Sequence, residues 1–217
     1  LHNVQTAGVD ALPITGLLSF LLGIVIAYQG ADQLQRFGAN IFVADLVGIS
    51  MLRELSPMMT AIIIAGRSGS AYTAQIGTMK VTEEIDALRT IGVPPLELLV
   101  LPKMIALVIV MPLLTVYTDV TGVLGGMIMA QWKLGVDMRA FLDRLDDAIV
   151  LSTYWTGLVK APVFAMIVAL AGCYRGFQVT GSAESVGTQT TMSVVQAIFL
   201  VIVTDAMFSI VFLWLEL

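Results

Sequence analysis

The sequence predicts an all-α membrane protein with about five transmembrane helices, a kinked second span and a short helix in one connecting loop. Of its 217 residues, 58% are apolar and only 12% are charged, against roughly a quarter charged in an ordinary soluble domain. The mean hydropathy is +0.91, and uncharged apolar stretches recur at the length of about 20 residues that a helix needs to cross a hydrocarbon core. A soluble globular protein is therefore excluded.

The charge balance and the residue inventory exclude further classes. Eleven Lys and Arg against sixteen Asp and Glu give a net charge of −5, so there is no basic face for nucleic acid. The single cysteine, Cys173, and the single histidine, His2, exclude a disulfide framework within the chain and the usual His/Cys-rich metal sites, and leave carboxylate-only sites open.

Two kinds of enzyme are also excluded. The intramembrane serine-protease pattern at residues 66–69 lacks a histidine base, because His2 lies outside every predicted span. No phosphate-loop motif is present, so we expect a chain that is not an enzyme, has no cofactor of its own and depends on a partner for any work driven by ATP.

The first span covers residues 12–30 and ends at the polar residues 32–36. Because the chain begins at Leu1 without an initiator Met, we expect an N-terminal segment to precede it, and we expect residues 1–217 to form one transmembrane domain. The second span, residues 43–79, is too long for one straight crossing, and Pro57 predicts a kink near residues 52–56. Small residues crowd between positions 65 and 77, which favours a closely packed neighbouring helix.

The remaining spans are predicted at residues 98–130, 149–172 and 194–215. Gly122 and Gly126 in the third have the spacing that favours close helix contact, and residues 133–147 alternate charge signs, so we expect them to be solvated. Helix faces made of small residues, here called small-residue seams, need a partner surface to pack against. We therefore expect a second copy of the chain. Lys and Arg are equally numerous on the two sides, so they do not decide the orientation.

Ionisable side chains within spans are costly and are therefore functional candidates. Arg53 and Glu54 lie one turn before Pro57, and two interpretations stay open for them: a structural clamp to a neighbouring helix, or a polar patch that lines a substrate cavity. Arg67 is interpreted either as an arginine that extends to the membrane interface or as a contact to lipid headgroups.

Asp119 and Asp205 are interpreted either as buried hydrogen-bond partners or as proton carriers. A proton-coupled secondary transporter that uses Glu54, Asp119 and Asp205 is therefore an alternative function. It predicts an inverted repeat, which five spans cannot provide symmetrically.

The connector at residues 80–103 contains a short amphipathic helix. Thr82 is expected to cap it, and acidic residues in its first turn suit the positive end of the helix dipole. Ile85, Leu88 and Ile91 fall on one apolar face. Because acidic residues are repelled by an anionic membrane surface, a groove on a protein is the better partner for this helix.

Three motifs in a fixed order indicate a family: LRELSP at residues 52–57, AGRSGSA at residues 65–71 and TEEIDAL at residues 82–88. From about Tyr28 to the C-terminus the sequence resembles the MlaE (YrbE-like) permeases of bacterial ABC transporters. The resemblance implies a multi-pass permease of the bacterial inner membrane that moves phospholipids or related lipids. It also implies three partners, namely a second permease copy, a separate ATPase subunit and a periplasmic MCE-domain protein. Ser56 departs from the glycine that is frequent in the family.

The resemblance also implies roles for individual residues. Arg53 and Glu54 would stand near a lipid cavity, with Gln33 and Phe37 close to them. A coupling helix would dock into the ATPase, and its contact residues would be Glu83, Glu84, Ile85, Asp86 and Leu88. The connector at residues 80–103 would then be cytoplasmic and residues 133–147 periplasmic, while the identity of the lipid stays open.

Overall fold

The computed structural model describes residue 5 and residues 8–215, and its regular structure within that part of the chain is helical. Five described segments are long and apolar enough to span a membrane, which confirms the predicted number. These segments are Val9–Arg36, Asn40–Val81, Leu96–Leu134, Leu151–Phe177 and Ala183–Trp214. His2, on which the exclusion of a serine protease depended, lies outside the described residues.

The α-helices between residues 8 and 215 are numbered here in chain order. They are α1 (Leu12–Arg36), α2 (Val43–Ser50), α3 (Ser56–Ile64), α4 (Ser70–Val81), α5 (Glu84–Thr90), α6 (Leu101–Leu134), α7 (Met138–Ala148), α8 (Leu151–Phe177) and α9 (Ala183–Trp214). Wider π-helical turns occur at Met51–Leu55, Ala65–Gly69 and Leu96–Val100.

The second span is interrupted where Pro57 predicts it. Its 42 residues would extend about 63 Å as one helix, roughly twice the thickness of a hydrocarbon core. Because Pro57 has no N–H to donate, the preceding turn widens, and the N–H of Ser56 bonds to the carbonyl of Met51 instead of that of Leu52. The π-helical turn at Met51–Leu55 confirms the expected irregularity at residues 52–56 and contains both Arg53 and Glu54.

The fifth spanning helix begins earlier than predicted. The span was predicted to begin at Val194, but α9 starts at Ala183 and includes the polar residues 183–193. Threonine hydroxyls in this stretch donate to carbonyls one turn back, from Thr188 to Glu184 and from Thr190 to Val186. These bonds satisfy the hydroxyls within the helix, so the polar sequence continues it.

The chain divides into two compact units. The first contains the described residues up to Ala11, Ala61–Met111 and Ala161–Phe208, and the second contains Leu12–Thr60, Pro112–Lys160 and the described residues from Ser209 onward. Four of the boundaries fall inside helices α3, α6, α8 and α9. A single domain over residues 1–217 stays a prediction.

The second unit is held together by apolar side chains and close backbone contacts. Val47 and Met51 are fully buried in its core. A methyl group added at Gly23 would overlap the carbonyl of Gly122, and one added at Gly126 would overlap the side chain of Val47. The glycines of α6 that predicted close helix contact therefore make it with α1 and α2.

Residues 133–147 are more ordered than a solvated segment. They include α7, where Phe141 is fully buried in the core of the second unit. Arg144 donates from two nitrogens to the Asp45 carboxylate at 2.7 and 2.6 Å. These hydrogen bonds raise the pKa of the Arg144 guanidinium above its usual value. The expectation that charge alternation keeps the whole segment in solvent is thus wrong for its apolar face.

The first unit contains the predicted small-residue seam. The Thr73 hydroxyl donates to the Gly172 carbonyl at 2.8 Å, and a methyl group at Gly172 would lie 2.6 Å from the Gly69 carbonyl oxygen. The seam at residues 65–77 is confirmed, but α8 of the same chain fills it. It therefore supplies no reason for a second copy, and that step of the sequence argument is wrong.

Candidate functional site

The Glu54 carboxylate is the centre of a charged cluster in the second unit. Its Oε2 atom lies 2.6 Å from Lys160 Nζ and accepts a hydrogen bond from the Ser209 hydroxyl at 3.2 Å. Its Oε1 atom lies 3.5 Å from Arg53 Nε. Glu54 is thus tightly paired with Lys160 and more loosely paired with its neighbour Arg53.

Lys160 was missed in the sequence. It lies in α8 within the predicted fourth span, and its side chain is completely buried. An ionisable residue inside an apolar span is itself the signal that could have found it. Its ammonium group also lies 6.0 Å from the centre of the Phe212 ring, a distance that allows a cation–π interaction.

A close backbone contact brings Lys160 to Glu54. A methyl group added at Gly157 would overlap the carbonyl oxygen of Leu52. Pro57 has no N–H to offer this carbonyl within the π-helical turn. Gly157 precedes Lys160 by three residues and so shares its face of α8. The absence of a side chain at Gly157 therefore places α8 against the turn that carries Glu54.

An apolar groove of about 150 Å³ lies beside the cluster in the second unit. Phe212, which contacts Lys160, forms one of its walls, and Trp155 and Val159 on α8 are half exposed along it. Arg53 and Glu54 keep 24% and 34% of their side-chain surface exposed. Charged groups that are partly accessible next to an apolar groove suit an amphiphile. The complete lining is Ser152, Trp155, Thr156, Val159 and Phe212.

Gln33 and Phe37 are not brought to this cluster. Both side chains are exposed near the end of α1, and in the described part of the chain neither forms a hydrogen bond or an ion pair with Arg53 or Glu54. Arg53 lies ten residues beyond the start of α2, which is about 15 Å along a helix. Gln33 and Phe37 therefore make no direct contact with Arg53 or Glu54 among the described residues, and the proximity to lipid that the resemblance implies for them stays a prediction.

Asp119 is buried in α6, and no cationic side chain pairs with it among the described residues. Its side chain is 6% exposed, and its Oδ1 atom, like the Ser56 hydroxyl, has no hydrogen-bond partner among the described residues. The hydroxyls of Thr60 and Thr118 lie 3.1 Å apart in the same unit. Asp205 belongs to the first unit.

Arg67 pairs with an acidic residue in the first unit. Its Nη2 atom lies 3.1 Å from Asp10 Oδ2. The π-helical turn at Ala65–Gly69 carries Arg67, as the turn at Met51–Leu55 carries Arg53. An ion pair was not among the two interpretations of Arg67.

The short helix α5 forms as predicted, but its cap and its face differ. Glu83, not Thr82, precedes the first helical residue, with the left-handed φ of 61°. Only Thr82 and Glu83 connect α4 to α5, and so short a connection requires this sharp turn. The Thr82 hydroxyl bonds to the Thr78 carbonyl and to the Glu84 carboxylate.

The apolar face of α5 turns partly towards its own chain. Ile85 is 2% exposed, so its side chain cannot contact an ATPase in this arrangement, whereas Ile91 is 71% exposed. Leu88 is half-buried, and Asp86 pairs with Arg89 at 3.2 Å on the exposed side. Ile85 therefore anchors α5, and the accessible surface includes Glu83, Glu84, Asp86, Leu88, Arg89 and Ile91.

Metal ligands do not gather among the described residues, where no three His, Cys, Asp or Glu side chains come together. The chain instead places an ion pair, whose lysine is completely buried, beside an apolar groove within membrane-spanning helices. Ionisable groups kept at that depth are typical of membrane transport proteins. The fold and the cluster thus define a multi-pass membrane protein of the transporter class.

Comparison with known proteins identifies the family. Residues 1–211 match the family described as Permease MlaE. A protein of Rickettsia typhi described as a probable ABC transporter permease is 38% identical over 91% of this chain and 76% of its own. The intermembrane phospholipid transport system permease protein MlaE of Haemophilus influenzae is 35% identical over 94% and 78%. The chloroplastic protein Trigalactosyldiacylglycerol 1 of Arabidopsis thaliana is 30% identical over 96% and 60%.

The chain belongs to the MlaE permease family. It is therefore the permease subunit of an ABC transporter and not itself an ATPase, and this class implies a separate ATPase partner. Membership in this family decides against the alternative function, a proton-coupled secondary transporter that would use Glu54, Asp119 and Asp205.

Proposed function

We propose that this permease moves phospholipids between the membrane that holds it and an acceptor outside that membrane, with energy from its ATPase partner. Family membership and the name of the Haemophilus influenzae relative support this function. The observation that carries it in the chain itself is the Glu54–Lys160 ion pair next to an apolar groove and a partly exposed arginine.

The position of Arg53 in the cluster favours an anionic headgroup. Arg53 and Lys160 are cations that both pair with the Glu54 carboxylate, but not equally closely. Lys160 takes the short contact to Glu54, whereas Arg53 approaches it only to 3.5 Å. Arg53 therefore offers its remaining N–H donors to a lipid phosphate, a charge-assisted contact. Lys160 fills the place of the headgroup ammonium that Glu54 would otherwise bind.

The acyl chain has its place in the apolar groove beside Phe212. Glu54 then has a structural role, since it neutralises the buried Lys160, and Arg53 has the direct role of binding the lipid. Of the two interpretations, the structural clamp therefore applies to Glu54, and the polar patch that lines a substrate cavity applies to Arg53. Gln33 and Phe37 would contact lipid only near the end of α1.

The accessible surface of α5 is proposed to dock into the ATPase. Residues 80–103 are then cytoplasmic and residues 133–147 periplasmic, in a bacterial inner membrane, although one relative is a chloroplast protein. A second permease copy and an MCE-domain protein complete the proposed assembly. Only 11% of the most apolar window of α9 is buried within the chain, so this helix has a surface available for a second copy.

Lipid occupancy tests the assignment of Arg53. The permease is purified with its ATPase, and the phospholipids bound per complex are counted by native mass spectrometry. We expect Arg53→Gln to lower the occupancy at least fivefold, which corresponds to the loss of about 1 kcal/mol or more from one charge-assisted contact. Arg139→Gln, which removes an exposed arginine on α7, is the matched control and should keep the wild-type occupancy. Equal occupancy in both variants would remove Arg53 from the site.

A further inference from the structure

A second groove, of about 460 Å³, lies in the first unit between α8 and α9. Four residues of α8 line it at the spacing i, i+3, i+4 and i+7, so they form one helix face. Their range extends over about 10 Å of the helix. The complete lining is Ile167, Leu170, Ala171, Tyr174, Gln196 and Leu200.

One end of this groove is polar and positively charged. Arg175 Nε donates to Gln196 Oε1 at 2.6 Å, and Arg175 Nη1 lies 3.5 Å from Gln189 Oε1. The guanidinium carbon also lies 6.0 Å from the centre of the Tyr174 ring. Two of the residues that contact Arg175, Tyr174 and Gln196, are walls of the groove, so the guanidinium group lies at its rim.

The partners of Arg175 position its charge without neutralising it. Among the described residues, Arg53, Arg67, Arg89, Arg144, Lys133 and Lys160 all have a carboxylate partner. Arg175 has two side-chain amides instead. Because an amide oxygen carries no net charge, the guanidinium group keeps its full charge and further N–H donors for an anion.

A second cation that has no carboxylate partner among the described residues lies at the same end of α8. Lys80 Nζ donates to the carbonyl of Phe177, two residues beyond Arg175, at 2.6 Å. Lys80 lies in the last turn of α4, at the start of the connector that carries α5. The charged end of the groove is therefore the end of the first unit where residues 80–103 begin, which the proposed function places at the cytoplasmic side.

We propose that this groove binds an anionic phospholipid, with its phosphate on Arg175 and one acyl chain along Leu170 and Leu200. A polar end that joins an apolar channel matches an amphiphile, and the uncompensated charge of Arg175 and Lys80 matches an anionic headgroup. This site is separate from the cluster at Glu54, and it depends on the proposed function only for the leaflet from which the lipid comes.

Quenching by brominated lipids tests this site in the full chain. Tyr174→Trp places an indole in the groove wall, in a chain where the exposed Trp132, Trp155 and Trp214 are replaced by Phe. The protein is reconstituted in phosphatidylcholine vesicles that contain increasing fractions of dibrominated phosphatidylglycerol or dibrominated phosphatidylcholine. We expect half-maximal quenching at an about fivefold lower fraction of the phosphatidylglycerol, the preference that one arginine near an anionic surface provides.

The variants distinguish a specific lipid-binding site from general contact with the membrane. Arg175→Gln should reduce the fivefold preference to none, Arg175→Lys should keep part of it, and Arg139→Gln should keep all of it. If Arg175→Gln does not fold, Gln196→Leu provides the second test, because it removes the amide that positions the guanidinium group and should also lower the preference.

Several results would overturn the proposal. These are an unchanged preference in Arg175→Gln, no preference in the parent chain, or no quenching by either lipid because a second copy or another protein covers the groove. Loss of the preference on addition of excess inorganic phosphate would indicate a site for free anions without an acyl chain. Since the signal reports contact at position 174 and not transport, its failure would leave the test of Arg53 unaffected.

Discussion

Replacing Glu54 with Gln removes the carboxylate that pairs with Lys160 in the charged cluster. The Lys160 ammonium is completely buried and lies 2.6 Å from Glu54 Oε2. The variant keeps the shape of the side chain and its ability to accept a hydrogen bond from Ser209. What it loses is the negative charge, so the buried Lys160 ammonium loses the counter-charge that Glu54 provides.

The expected cost follows from the burial of the two partners. Breaking a buried ion pair by removing one member costs about 3–5 kcal/mol. Glu54 is 34% exposed, which places this pair at the lower end, about 3 kcal/mol. For a chain of this size, that corresponds to a melting temperature lower by about 6–12 °C. Ser209→Ala removes only the 3.2 Å hydrogen bond and should cost about 1 kcal/mol or less.

A double-mutant cycle isolates the ion pair. Melting temperatures are measured in detergent for Glu54→Gln, Lys160→Met and the double variant. Because the double variant removes the buried ammonium together with the carboxylate, we expect it to be more stable than Glu54→Gln alone, with a coupling energy of about 2–3 kcal/mol. Arg53→Gln should barely change the melting temperature. Additive effects of the two single variants would refute the claim that Glu54 stabilises Lys160.

Three further predictions concern the backbone contact, the coupling helix and the assembly. Gly157→Ala should destabilise the chain by about 2 kcal/mol or more, because the added methyl group overlaps the rigid Leu52 carbonyl. Gly187→Ala, whose methyl group meets nothing within 4 Å, should be neutral or stabilising; equal melting temperatures would contradict the contact. Leu88→Asp should abolish co-purification of the ATPase without changing the melting temperature, whereas Leu142→Asp on α7 should keep the ATPase. Retention of the ATPase by Leu88→Asp at wild-type yield would contradict the coupling role. Native mass spectrometry of the complex should find two permease copies, and a single copy would exclude the dimer.

The number of spans and the break in the second span could be predicted because they depend on local chemistry. Apolar stretches of membrane length identify helices from composition alone. A proline such as Pro57 lacks the backbone N–H in any structural context. The second π-helical turn, at Ala65–Gly69, contains no proline. It could not be located from the sequence because it depends on how glycine and serine residues pack.

The candidate site was predicted only in part. Arg53 and Glu54 were identified as costly charges within a span, and the same reasoning applied to α8 would have added Lys160. The pairing itself depends on the close approach of Gly157 to Leu52, which joins residues about a hundred positions apart. The burial of Ile85 and the left-handed turn at Glu83 likewise result from how α5 folds back against α4, and periodicity alone does not specify this.

ATP-driven transfer of phospholipid by the reconstituted complex tests the central claim most directly. Donor vesicles contain the permease with its ATPase and a fluorescent phospholipid, and transfer to an MCE-domain acceptor is followed with ATP and with a non-hydrolysable analogue. We predict transfer that requires hydrolysis, that falls at least fivefold in Arg53→Gln and that is unchanged in Arg139→Gln. Transfer at the same rate without hydrolysis, or at the wild-type rate in Arg53→Gln, would contradict the account.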